Sequence, residues 1–284
     1  MFQRLSRSWD LMKASASVLR QDKELLLFPL ISTAAVTIVM ACFALPILGL
    51  GAFDKLSRLG EGTISNLAYA VAFLFYVCQY FVIFFFNTAL VGAAMMRLDG
   101  KAPTVGDGLR IASSKFVNIL GYALIAATVG MVLRIIQERV GFIGKIIVGL
   151  LGVGWTIATF MVVPVLAARD VGPIDAIKES ATLLKETWGE NVIGQVGLGA
   201  AFGIILMGVM FIGIAIIVAA AFSQSLFLVA VAVVALVLAV GILALVQAAL
   251  GGIYSAALYR YATTGKGSEG FQADTLKLAF APKK

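Results

Sequence analysis

The sequence predicts an all-α, polytopic membrane protein: six transmembrane helices arranged as three hairpins, each preceded by a cytoplasmic amphipathic helix. Three observations carry that expectation. Hydrophobic residues make up 61% and charged residues 13% of the 284 residues, against roughly 45–50% and about 25% in soluble domains. The stretch 191–259 contains no Asp, Glu, Lys or Arg, more uncharged surface than a soluble fold can bury. One charged segment also returns along the chain, each time beside an apolar run.

The elements follow in order, as a single transmembrane domain over 1–284. An amphipathic segment at about 4–22 leads into spans at about 25–52 and 67–98. A second at about 104–116 leads into spans at about 117–133 and 146–168. A third at about 173–187 leads into spans at about 192–222 and 226–259, whose only polar break is Ser223-Gln224-Ser225. A short stub at about 271–280 closes the chain. About 20 apolar residues cross the hydrocarbon as a helix. The runs are continuous, without the alternation of a barrel strand, so helices are expected. The segments at 67–98 and 226–259 are long for the bilayer and are expected to tilt, break or extend into the cytoplasm. Pro29, Pro46 and Pro164 punctuate spans near their ends. Gln137, Glu138 and Arg139 are expected in a small outer loop, with Arg134 snorkelling at the end of the third span.

Lys and Arg set the orientation. With six spans both termini share a side, and that side holds 17 of the 22 basic residues. Both termini are therefore expected in the cytoplasm. The same asymmetry accounts for the basic charge, so no nucleic-acid partner is inferred. The first apolar run is too long for a signal peptide and lacks a small-residue cleavage site. Cys42 and Cys78 lie within spans, which argues against a structural disulfide.

The returning segment reads DLMKASASVLRQ at 10–21 and DAIKESATLLKE at 175–186, with Asp10/Asp175, Lys13/Lys178, Ser15/Ser180, Ala16/Ala181 and Leu19/Leu184 identical. DGLRIASSKF at 107–116 and DTLKLAF at 274–280 are weaker copies. All four begin Asp, any residue, apolar, basic, and all fall on the cytoplasmic side, which marks an internal repeat. On a helix, Trp9, Met12, Ala16 and Leu19 form an apolar stripe. Its counterparts are Ile174, Ile177, Ala181 and Leu184, and then Gly106, Leu109, Ser113 and Phe116. Such a helix lies in the headgroup layer or against the cytoplasmic ends of the spans, as a collar. The aspartate is expected early in each helix, at the positive end of the dipole. Its pair with the following base supports the helix. Alternatively Lys13, Arg110, Lys178 and Lys277 hold anionic lipid headgroups.

Chemistry is sparse elsewhere. The chain has no His and two Cys, so no catalytic residue, metal site or cofactor is assigned. No nucleotide-binding spacing occurs. Polar residues inside spans are Gln79, Asn87, Gln195 and Gln247, read as interhelical packing contacts or as the lining of a narrow route. Gly199 and Gly203, with Gly251 and Gly252, have the small-residue spacing that lets helices approach, within a protomer or between protomers. The ring-rich FLFYVCQYFVIFFF at 73–86 suits lipid contact or subunit packing.

The pieces RSWDLMKASASVLRQDKELLLFPL and VVPVLAARDVGPIDAIKESATLLKETWG resemble a family of uncharacterised bacterial integral membrane proteins. More distantly, the layout is similar to the membrane domain of some glycerophosphodiester phosphodiesterases. That resemblance implies location and fold, with no catalytic residue carried over. The function expected is a non-enzymatic scaffold or accessory subunit that self-associates or organises lipids and membrane partners. The alternative is a passive channel or carrier for a small or lipid-like solute.

Overall fold

The structure, a computed structural model, describes residues 2–49, 61–186 and 191–265. It is helical, with no strand among the described residues. The order is α1 (Phe2–Gln21), a 3₁₀ turn (Lys23–Leu26), α2 (Leu27–Gly49), α3 (Glu61–Leu98), α4 (Val105–Ser114) and α5 (Phe116–Arg139). Then come α6 (Phe142–Ala158), α7 (Val162–Ala168), α8 (Pro173–Glu186), α9 (Asn191–Phe222) and α10 (Leu226–Thr264). Six helical segments among the described residues are long and apolar enough to cross a membrane. The stub at 271–280 lies outside the described residues.

Local chemistry sets the boundaries. Thr104 caps α4 through a capping box with Asp107, closing two backbone donors at once. Gly172 and Pro173 start α8, where proline lacks only a donor that would have no helical partner. Gly100, at φ 78, ends α3. The Gly100 N–H reaches the Arg97 carbonyl at 2.9 Å and the Lys101 N–H reaches Met96 at 3.1 Å, the glycine-based stop of a Schellman motif. Gly265, at φ 65, stops α10.

Three local expectations change. Asp10 sits mid-way along α1, because the helix begins at Phe2 and nothing in 2–9 breaks it. Gln137, Glu138 and Arg139 are helical, since the first breaker after them is Gly141. The fourth span is broken into α6 and α7. The break includes Phe160, four residues before Pro164, whose ring clashes with the carbonyl at that position and offers no N–H. In contrast α3 and α10 are unbroken over 38 and 39 residues, about 57 Å each at 1.5 Å per residue.

The described helices group into two compact units. The first comprises Met1–Leu26, Ala94–Ala102 and Thr187–Lys284; the second, Leu27–Ala93 and Pro103–Glu186. Within the first, α9 and α10 pack along each other and α1 packs on both. Its core is the run Ile253, Tyr254, Ala256, Ala257 and Leu258, with Val18 and Leu25 against it in the same unit. In the second, α8 packs on α5, α6 and α7, and the core gathers Leu90, Ile119, Met161 and Leu166.

Within each unit the most deeply buried side chains are concentrated toward one end of its long helices. Farther along them, large apolar side chains such as Ile38, Leu74, Leu150, Phe211 and Leu238 are exposed. Lipid tails solvate such side chains as well as another Leu does, so burying them against protein gains little there.

Candidate functional site

Within the second unit two short helices, α4 and α8, pack against the longer ones. Helix α4 comes so close to its neighbours that a Cβ at Gly108 would stand 2.4 Å from the Phe28 ring and 2.7 Å from the Ala89 carbonyl oxygen. A Cβ at Gly92 would likewise meet the Ile111 side chain at 2.9 Å. Helix α8 enters beside α5, where Pro173 lies 2.9 Å from where a Gly121 Cβ would be. Farther along α8, the Ser180 hydroxyl donates to the Ala158 carbonyl at 2.7 Å and accepts from the Met161 N–H at 3.0 Å. One side chain thus closes backbone groups on both sides of the broken span, which an apolar surround requires to be satisfied.

The repeat places these contacts in register. The position five after the aspartate is Ser15, Ala112 and Ser180 in the three copies, and each is fully buried. Hence the inward face is turned by about one residue from the large-apolar stripe. Met12, Leu19 and Leu184 are buried and Ile177 is half-buried, but Ile174, Phe116, Ala181, Gly106 and Ser113 are exposed. Small side chains win the inner face because they let helix backbones approach, while a Leu or Ile there would hold the helix off. The identity of Ser15 and Ser180 was the sequence signal for this face. The Trp9 side chain lies outside the described residues.

Charges line the outer side of these helices. Arg110 pairs with Asp107, and Lys178 with Asp175 at 3.4 Å, each on its own helix. Three longer-range pairs join elements: Lys115 to Asp170 at 3.0 Å, Arg169 to Glu179 at 2.8 Å and Arg260 to Asp99 at 2.6 Å. The Thr104 backbone N–H, then its hydroxyl and Arg110, hold the Asp107 carboxyl below its usual range. Of the four proposed headgroup residues, Arg110 and Lys178 are therefore already engaged by carboxylates; Lys13 is exposed and Lys277 lies outside the described residues. Three arginines counted in sequence only toward the basic side close helices: Arg97 in the last turn of α3, Arg169 just after the seven-residue α7, and Arg260 near the end of α10. The recurring Ala-Ala before each, as in AAMMR, LAAR and AALYR, was the available signal.

The intramembrane polar residues separate. Gln79 is buried and donates to the Val36 carbonyl at 3.4 Å, joining α3 to α2. Asn87 and Gln247 are exposed, and the Gln195 side chain lies outside the described residues. Nothing stands within 4 Å of a Cβ built at Gly199, Gly203 or Gly251, and Gly252 is half-buried. Close approach occurs instead at Gly92, Gly108 and Gly121, and at Gly213, which faces Leu236. The rings of α3 serve packing within the chain: Tyr76, Tyr80 and Phe84 stack in sequence, and Phe84 stacks on Tyr122 of α5 at 4.4 Å. Arg134 caps this ladder, donating to the Tyr76 hydroxyl at 2.6 Å and pairing with Glu138.

A family model matches residues 66–271, and the chain accordingly belongs to DUF6159, a family of unknown function. No curated protein matches. These findings provide no link to glycerophosphodiester phosphodiesterases.

Proposed function

We propose that this member of the DUF6159 family is a non-enzymatic, multi-pass protein of a bacterial inner membrane that self-associates as a scaffold or accessory subunit. Its spans form three hairpins, both termini lie in the cytoplasm, and α1, α4 and α8 make a cytoplasmic collar in contact with lipid headgroups. Read this way, each collar helix precedes a hairpin in the chain but rests on the hairpin before it, with α1 resting on the last. The preponderance of Lys and Arg on that side supports the orientation.

The observation that carries self-association lies on α10. Gln247 is exposed within the uncharged stretch and makes no hydrogen bond among the described residues. One turn on, Gly251 leaves open space. An amide facing lipid is costly until it finds a partner, and a symmetric contact between two copies supplies one while the glycine admits the approaching helix.

Mass measurement in mild detergent tests this. A uniform oligomer is expected for the wild type, shifting toward monomer with Gln247→Leu and Gly251→Ile combined. A wild-type monomer at every concentration would refute self-association. Solute flux through reconstituted vesicles, abolished by Gln79→Leu with Gln247→Leu, would favour a passive channel instead. Orientation is tested separately by cysteines at Lys13 and Lys178. Labelling of either by an impermeant reagent from outside intact cells overturns it.

A further inference from the structure

We propose that the junction between the end of α1 and the end of α3 binds one phosphate-bearing anion, with the Arg97 guanidinium at its centre. The inference deepens the proposed function and rests on the collar lying at headgroup level.

The three helix-ending arginines differ in one respect. Arg169 has Glu179 at 2.8 Å and Arg260 has Asp99 at 2.6 Å. Arg97 has no carboxylate within ion-pair distance among the described residues. Its Nη2 donates to the neutral Gln21 Oε1 at 2.9 Å and its Nη1 to the Lys101 carbonyl at 3.3 Å. Its Nε is buried without a partner. A half-buried guanidinium held only by neutral acceptors keeps its full charge uncompensated, which favours an external anion.

The surroundings suit that anion. Gln21 and the Lys101 carbonyl fix the plane of the guanidinium, and a fixed fork matches two phosphate oxygens. Lys101 and Arg20, both exposed, flank those two anchoring groups. Asp99, the acid nearest to Arg97 in sequence, is engaged by Arg260; Asp22 and Glu24 also belong to this segment, so the local excess of positive charge is modest. Recognition therefore depends on the fork more than on summed charge. A phosphodiester headgroup and free inorganic phosphate present the same chemistry.

Native mass spectrometry of the full chain titrated with phosphatidylglycerol, phosphatidylcholine or inorganic phosphate tests the site. One anionic lipid is expected to bind in preference to phosphatidylcholine. Arg97→Gln should weaken it about tenfold, the scale of one charge-assisted contact, while Arg139→Gln, at the end of α5, stays within about twofold. Arg97→Lys keeps the charge without the fork and should recover only part of the affinity. It also decides the matter if Arg97→Gln does not fold. Phosphate binding that depends on Arg97, without lipid preference, would support the site and assign it to the soluble anion. Equal lipid binding by wild type and both Arg97 variants would overturn the proposal. A cysteine at Lys101 labelled from outside the cell would instead overturn the orientation on which it rests.

Discussion

Ser180→Ala tests the packing of α8 on the broken span directly. The substitution removes a hydroxyl that closes two backbone groups across the α6–α7 break. It strands the Met161 N–H at a fully buried residue, which costs about 1–3 kcal/mol, and the Ala158 carbonyl loses an acceptor bond as well. Thermal unfolding in detergent, followed by the fraction still monodisperse after heating, should register a Tm lower by roughly 2–4 °C per kcal/mol. The same register position gives an internal control. Ser15 is equally buried, but its hydroxyl has no partner, so Ser15→Ala should leave Tm unchanged or raise it. Ala112→Ser should lower Tm by burying a hydroxyl at a position with no solvent exposure. If Ser15→Ala cost as much as Ser180→Ala, or Ser180→Ala cost nothing, the reasoning from hydrogen-bond closure would fail.

Other predictions follow from single contacts. Gly108→Leu should prevent a stable fold, seen as loss of a monodisperse elution peak, because its Cβ would meet the Ala89 carbonyl oxygen at 2.7 Å. Gly199→Ala, in open space, should be tolerated and gain up to about 1 kcal/mol of helix propensity. For Asp107 the folded carboxyl titrates below its unfolded value, so its stabilising contribution is present above about pH 4 and lost as pH falls through the lowered pKa. Asp107→Asn should accordingly flatten the acid side of a Tm-against-pH profile without steepening the neutral region. Gln79→Leu loses a long 3.4 Å bond but also an unpartnered buried oxygen, so its Tm should change by no more than about 2 °C.

Much of the helical layout was readable in the chain because bilayer physics imposes a one-dimensional rule: apolar length decides what spans. Residues 192–222 and 226–259 could be assigned without any tertiary knowledge, and the stop at Gly100 or the start at Pro173 follows from backbone chemistry alone. Helix α5 ran past its expected end because Arg134 pairs with Glu138 one turn on and with Tyr76 of another helix. The latter contact has no local signal. The sequence match between 10–21 and 175–186 also marked Ser15 and Ser180 by identity.

By itself, then, the sequence determined class, the number of long apolar helices and the recurrence of a charged leading segment, since each depends on composition and period. Tertiary structure decided which face of that segment turns inward. Large apolar residues define the stripe in sequence, yet Gly108, Ala112, Ala176 and Ser180 occupy the contact, because distance between backbones is set by the smallest side chains present. It also decided which cations have carboxylate partners: Arg169 and Arg97 end their helices alike, and only the folded neighbours distinguish them.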